Sequence, residues 1–556
     1  MRASFFTWGW PLVALGVVSV VALTLVGVRV AQAQTSDAVV WEGPGTVSAH
    51  TYVHTSMANV AAGPEHLLLV DNLYVTLRTK TGATVATSDL VQFFGDVAGD
   101  QAASYDRAIY DPASERFFVV AAGRSFFTGE AQCGDPATCP YDSFLAVSRT
   151  STPRSLGAAD WYFYALPDTE LREAGTVAPV TTFAAFYTIG VTKDAVVLSS
   201  LMYDFVDFPR ASMRLRALAK ADLISGQPVL DWNDVILDAD WPPAAAVSDG
   251  TGDSVYLVGN YLDRSCDLQL WELRDPLTVP RVTSHRISAA GACSTSGLPV
   301  EPDGLLVSVV RPQSFFLNQP ALRDRRLWGA YTIAEPTDPD QRARVRWFEL
   351  DLSSGAGSAR VVQDGRVADE SWNFIPAIAV DDERNMALVF TRSSAVEYAS
   401  AYVAFRRADD PPGTLRAPML LEAGKAAWGH DRFGYYMGAA ADPVDGTVWV
   451  NGLYVEAFKT WGTRLAQLDL RRLEPAVAGS FSPAPTRVGV NFVVWSGGSI
   501  DEALGSLPGS AALWVLLDGR FLGYRATAPA FANAAFLAKF PGAVVPPGAV
   551  IVVVDR

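Results

Sequence analysis

Apolar and polar positions alternate in a phrase that returns along the chain. A stretch of small residues enters a polar turn, and a strongly apolar run follows. Ala108-Ile109-Tyr110 leads into Asp111-Pro112-Ala113-Ser114 and then Arg116-Phe117-Phe118-Val119-Val120. Ala244-Ala245-Ala246-Val247 leads into Ser248-Asp249-Gly250 and then Val255-Tyr256-Leu257-Val258. Ala377-Ile378-Ala379-Val380 meets Asp381-Asp382-Glu383 before Ala387-Leu388-Val389-Phe390, and Ala439-Ala440-Ala441 meets Asp442-Pro443-Val444-Asp445-Gly446 before Val448-Trp449-Val450. Weaker copies turn at Gly63-Pro64-Glu65, Thr192-Lys193-Asp194 and Glu301-Pro302-Asp303-Gly304. The runs are of strand length, and Asp, Pro and Gly suit tight reversals between antiparallel strands.

The spacing is irregular, and its longest intervals, Asp111 to Lys193 and Asp303 to Asp382, carry Pro- and Gly-rich stretches as insertions do. Four short strands with their turns need roughly 40 to 50 residues, the size of one propeller blade. Inner strands of all blades converge on one axis, which explains the small residues before each turn. A pair of β-sandwiches also sets short strands at turn-rich intervals, but gives no reason for those small residues. The pattern predicts an all-β, seven-bladed β-propeller over residues 34–472. The last copy has strands at Tyr435–Ala441, Val448–Val455 and Thr463–Leu470 and no fourth, so Ala38–Trp41 becomes the candidate closing strand.

Both ends differ from this body. Pro11 to Val28 is almost wholly apolar, and Ala31-Gln32-Ala33 has the small-x-small pattern of signal-peptidase sites. Residues 1–33 thus read as a signal peptide cleaved after Ala33. The rival is an uncleaved anchor, the one way this chain would engage a membrane. Either exports the remainder, to a secreted, periplasmic or cell-surface location. Residues 473–487, rich in Ala, Ser and Pro from Ala476 on, read as a linker. Residues 488–556 predict a small β-rich (α+β) domain, with strands at Val490–Trp495 and Val550–Val554, a short helix at Ile500–Leu507, and a Leu513–Leu517/Arg520–Tyr524 hairpin turning at Asp518-Gly519.

Composition narrows the function. Charged residues are 19% of the 556 and hydrophobic residues 49%, enough to fill cores. A net charge of −15 without any Lys/Arg cluster argues against nucleic acid as a partner. The four cysteines pair by neighbourhood, Cys133 with Cys139 and Cys266 with Cys293, as disulfides of an exported chain. Neither pair has metal-type spacing or a nearby His, and no metal or other cofactor is expected.

The last copy resembles a family of secreted bacterial propellers. Arg432-Phe433-Gly434-Tyr435-Tyr436, then Asp442-Pro443-Val444-Asp445, Val448-Trp449 and Trp461-Gly462-Thr463-Arg464, together resemble the final blade of that family, which usually reads R-W-G-D-Y, D-P-x-D, F-W and N-E-Y in order. Gly63-Pro64-Glu65-His66, Lys80-Thr81-Gly82, Asp106, Tyr110-Asp111, Arg116-Phe117, Ala146 to Thr150 and Arg346 to Leu350 resemble its earlier blades, in order, over roughly residues 50 to 470. The family sits near sialidase-like propellers and is largely unassigned in function. Two of its acids are missing here: Tyr435 replaces the acid of R-W-G-D-Y, and Asn451-Gly452-Leu453-Tyr454 stands for N-E-Y. Gly489-Val490-Asn491 with Trp495-Ser496-Gly497 resembles a small module at the ends of exported bacterial proteins.

Two functions from different classes remain. The first is a non-catalytic binding or surface scaffold taking a glycan or peptide at the channel mouth. Flat aromatics with Asn and Arg suit such ligands, and the candidates are Arg107, Trp372, Asn373, Arg432, Tyr435 and Trp461. Large aromatics serve packing between blades equally well. The second is a sialidase-like glycosidase. It would draw arginines from Arg107, Arg311, Arg392 and Arg432, and a nucleophile from Tyr435 or Tyr436 beside Glu456. The S-x-D-x-G-x-x-W turns of such enzymes are missed by one residue at Ser248 to Gly252 and at Asp445 to Trp449.

Overall fold

The computed structural model describes residues 38–42, 57–473 and 481–555, without residues 100, 125–140, 174, 205–209, 238, 240–242, 262–264, 295–296, 305, 308–317, 368, 430–432, 483–488, 496–497, 501–511, 518–519, 526–527, 529 and 546–549. The expected leader, the Cys133–Cys139 bridge, Arg311, Arg432 and the 500–507 helix past its first residue lie outside the described residues.

Seven four-stranded antiparallel sheets follow one another along the chain. Their inner strands are Asn59–Ala62, Ala102–Asp111, Thr182–Val191, Ala244–Ala245, Ala321–Arg323, Trp372–Val380 and Gly438–Ala441. We number the blades 1 to 7 in this order. The seventh is completed from the other end of the chain. Ala38–Glu42 pairs antiparallel with Thr460–Leu468, from Ala38 opposite Leu468 to Glu42 opposite Arg464. Neighbouring inner strands run parallel where they touch, at Met57 with Tyr436 and at Val247 with Ala321.

The hydrophobic cores lie between blades. Leu68, Phe117 and Trp161 fill the space between blades 1 and 2, and Phe118, Ile189 and Leu218 that between 2 and 3. Further cores join 3 to 4, 4 to 5, 5 to 6 and 6 to 7. A smaller cluster of Val60, Ala62, Leu67, Leu69, Trp449 and Leu465 closes the seam between 7 and 1. Each sheet buries both faces, one against each neighbour, so the middle strands are apolar runs rather than alternations. The seven sheets and seven interfaces make a closed β-propeller.

The recurring turn acids tie blades together. Asp111 of blade 2 accepts from Lys220 Nζ of blade 3 at 2.7 Å. Asp442 of blade 7 pairs with Lys80 of blade 1 at 2.6 Å and accepts from Trp449 Nε1 at 2.9 Å. In both, the acid at or just past the end of an inner strand holds a lysine of the following blade. Asp445, in the near miss to a sialidase turn, takes the backbone N–H and hydroxyl of Thr447 and works as an ordinary turn.

One expected turn falls elsewhere. Glu301-Pro302-Asp303-Gly304 is not the first turn of blade 5. Pro302–Gly304 is a 3-10 turn in the connection from blade 4. Blade 5 turns at Asp324-Arg325, between Ala321–Arg323 and Arg326–Ile333, with φ of 46° and 57°. Turns of that hand favour Gly or Asn, and this one has neither, so its sequence carried no signal. Glu301 instead accepts the backbone N–H groups of Ala399 and Trp428, tying the connection to blade 6 and to the segment entering blade 7.

Cys266 and Cys293 are bonded, with Cα atoms 5.1 Å apart. Within the described residues no helix is long and apolar enough to cross a membrane. After the ring, Phe481–Ser482, Gly489–Trp495, Val550–Asp555, Ala512–Leu517 and Arg520–Tyr524 form one antiparallel sheet in that order. Helix Ala534–Lys539 packs Phe536 into a core with Trp495, Leu513 and Ile551. Phe481 and Ser482 pair with Trp495 and Val494, so a strand lies within the stretch expected to be linker.

Candidate functional site

Inner strands of small residues leave space on the axis. A cavity of about 1110 Å³ occupies it and opens on the rim where inner strands turn outward, lined there by Pro112, Ser248, Asp249, Thr251 to Ser254, Arg323 to Arg325, Asp382 and Ala441 to Pro443. Alanines 61, 108, 321, 377, 379, 439 and 440 line its wall.

Its floor consists of side chains that span the axis. Asn318 Nδ2 donates to the carbonyls of Pro376 at 3.1 Å and Met437 at 2.7 Å. Gln319 Nε2 donates to the Ile189 carbonyl at 2.5 Å. These two residues, just before blade 5, thereby join blades 3, 6 and 7. Arg107 of blade 2 reaches the Tyr187 carbonyl at 3.1 Å and Asn59 Oδ1 at 2.9 Å, and its guanidinium lies 3.7 Å from the Tyr436 ring centroid. Arg107 is 2% exposed. Burial lowers its pKa to about 10, against the opposing pull of Tyr436 and Asp106.

The opposite end of the inner strands is built differently. Blades 2, 3 and 6 each carry a bulge there, between Ser104 and Arg107, Ala185 and Thr188, and Phe374 and Ala377. Phe186 and Ile375 within them have φ of 59° and 53°, a strained conformation for such side chains. Phe186 of blade 3 meets Tyr435 of blade 7 edge-on at 5.3 Å, a contact between blades that are not neighbours. Ile375 packs over Gly434, where a Cβ would come within 2.4 Å of Ile375 Cδ1.

Two buried acids stand near this end. Burial raises the Asp71 carboxyl to about 7 and Asp106 to about 6, and the neighbouring charge of Asp106 adds to the rise at Asp71. Asp71 Oδ1 accepts from the N–H groups of Leu73 and Tyr74, while Asp106 Oδ1 has no hydrogen-bond partner among the described residues. The folded chain therefore holds protons that the unfolded chain, titrating near 3.8, releases. Stability from these groups is fully present below about pH 4 and declines as pH rises through 7. Asp71→Asn keeps the turn acceptor and removes the charge. Its denaturation midpoint should exceed wild type at pH 8 and approach it at pH 4. A difference independent of pH would contradict the assignment.

Of the residues singled out from the sequence, Arg107 lines the cavity. Trp372 is 8% exposed and borders a second, shallower pocket with Leu298, Arg342 and Ser394. Asn373 is fully buried and donates to Asp369 at 2.9 Å. Trp461 packs in the core between blades 6 and 7. Arg392 pairs with Glu397 and Asp369 and shares no described partner with Arg107. Glu456 does not join Tyr435 or Tyr436. It accepts from Tyr454 at 2.6 Å and pairs with Lys425 at 2.5 Å. Asn318, Gln319, Arg323 and Arg325 were not singled out, because nothing in their local sequence marks them as axial.

No protein-family model matches the chain, and no curated protein matches it in sequence. Solved structures similar to it include the WD40 domain of SCAP from fission yeast, with TM-score 0.30 and 10% identity over 74% of this chain and 84% of that one. A Synechocystis apocarotenoid oxygenase gives 0.36 and 11% over 68% and 73%. Trypanosoma rangeli sialidase gives 0.34 and 8% over 94% and 86%. These are propeller-like folds. Likenesses this remote speak to fold alone, and the architecture rests on the seven sheets.

Proposed function

We propose that this chain is an exported binding propeller whose ligand, a glycan or a peptide, enters the axial cavity from the turn rim. The observation that carries this reading is the cavity itself. It is of small-molecule size, walled by alanines, floored by side chains spanning the axis, and ringed by charged groups. Of the carboxylates that line it, Glu272 is engaged by Ser254 and Tyr256, and Asp442 by Lys80 and Trp449. The resemblance to secreted bacterial propellers and the Cys266–Cys293 bond support export. The test is a screen of immobilised glycans and peptides with the purified protein and with Ala441→Trp, which fills the rim. Hits lost in the variant support the reading, and hits indifferent to it oppose it.

One observation favours the glycosidase alternative. Tyr454 and Glu456 form a tyrosine–glutamate pair of the kind a sialidase nucleophile requires. Tyr454 is 7% exposed, and Lys425 already neutralises Glu456. We expect no turnover of an aryl sialoside. Turnover abolished by Tyr454→Phe would replace the binding reading with the hydrolase.

A further inference from the structure

Many arginines among the described residues end on carboxylates, as Arg216 does on Asp234 and Arg366 on Glu335. Arg323 and Arg325 do not. Among the described residues, Arg323 donates only to the Leu322 carbonyl at 3.1 Å, and Arg325 only to that of Leu352 at 3.5 Å. Both line the cavity at its rim. They flank Asp324 in the blade 5 turn, whose two central residues are held in the left-handed region without a glycine. That conformation is costly for ordinary side chains and persists where surrounding structure imposes it.

The charges around Arg323 do not close it off. Asp249 and Asp382 face it from blades 4 and 6, and Asp324 and Asp381 lie nearby, yet none makes an ion pair with it. They offset its charge at a distance and leave its N–H groups open. The cations lining the cavity are all arginines: these two, Arg274 and Arg281 at the rim, and Arg107 below. Arg274 and Arg281 already have acidic partners in Glu272 and Asp275. A guanidinium presents a planar fork of donors that matches two oxygens of one acidic group, which a lysine does not.

We infer that Arg323 and Arg325 form an oxyanion site at the cavity rim, taking a carboxylate, sulfate or phosphate group carried by the ligand. This rests on the cavity being the binding site. It deepens that reading by giving the ligand an acidic group at the end that stays near the rim, with a slender body directed toward Asn318 and Arg107.

Calorimetric titration of the purified protein with sodium acetate, sodium sulfate and sodium phosphate, each as a separate probe, tests it. At least one should bind, more tightly at low ionic strength. Arg323→Gln/Arg325→Gln should weaken binding about tenfold or more, and Arg323→Lys/Arg325→Lys should restore only part, because charge returns without the fork. The anion that binds best distinguishes an acidic sugar or peptide terminus from a sulfated or phosphorylated ligand. An unchanged circular dichroism spectrum shows the variants are folded. Absence of binding by all three anions overturns the inference, as does binding unaffected by the double glutamine change. A neutral glycan or peptide held equally by wild type and by Arg323→Gln/Arg325→Gln, but lost in Ala441→Trp, overturns the oxyanion site while leaving the cavity reading intact. Binding indifferent to every variant overturns both.

Discussion

Arg216→Ala should lower the stability of the propeller by about 3–5 kcal/mol, the usual cost of leaving one partner of a buried ion pair alone. Arg216 is 1% exposed on a middle strand of blade 3. Its Nε and Nη2 meet Asp234 at 2.8 and 3.1 Å, and its remaining donors reach the carbonyls of Pro167 and Glu170. Arg214, two residues earlier on the same face, bonds to Asp168. Asp168 also accepts from the Ser143 hydroxyl at 2.7 Å and the Ala184 N–H at 3.0 Å. The network therefore joins blade 2, the connection after it and blade 3. Removing Arg216 leaves buried Asp234 with Trp232 Nε1, the Arg172 N–H and, at 3.9 Å, the Arg214 guanidinium, without its bidentate partner. Urea denaturation followed by tryptophan fluorescence measures the loss. A change under about 1 kcal/mol would show that water reaches this network.

Gly438→Val should open the seam between blades 7 and 1 and cost about 3 kcal/mol or more, the upper range for forcing bulk into a packed site. A Cβ at Gly438 would stand 2.5 Å from the Val60 nitrogen and 2.7 Å from the Ala58 carbonyl oxygen. Both are backbone atoms, one in the neighbouring inner strand and one just before it, so no side-chain rotation relieves the contact. Among the described residues this interface also has the smallest core. The ring should yield here first, which hydrogen exchange at Asn59–Ala62 and Gly438–Ala441 would register before exchange elsewhere. Gly438→Val with unaltered protection in both strands would contradict the close approach.

The seam also shows what sequence can carry. Small residues before each turn report the crowding at the axis, because every inner strand meets that constraint locally. Ala38–Trp41 could be proposed as the closing strand because the last blade visibly lacked one, and Ala38–Glu42 occupies that place. The blade 5 turn was missed for the converse reason. Asp324-Arg325 adopts its shape under restraint from the surrounding sheet, without turn residues, while Pro302-Asp303-Gly304 has turn residues and serves a connection.

The site was less legible than the fold. Arg107 could be named from its place in an inner strand, and it does line the cavity. Aromatics at blade starts pointed to the opposite rim, where bulges bring Phe186 to Tyr435. Which end of the channel stays open depends on contacts between blades far apart in sequence, such as Gln319 with Ile189 and Arg107 with Tyr436. No local pattern encodes these.

Hydrogen exchange in the presence of a ligand from the screen tests most directly whether the turn rim is the binding face. Binding in the axial cavity should slow exchange at residues 248–249, 251–254, 323–325, 380, 382 and 441–443, all of which line it. Protection confined to the segments around Phe186, Ile375 and Tyr435, with the turn rim unchanged, would place the ligand on the other face and contradict the account.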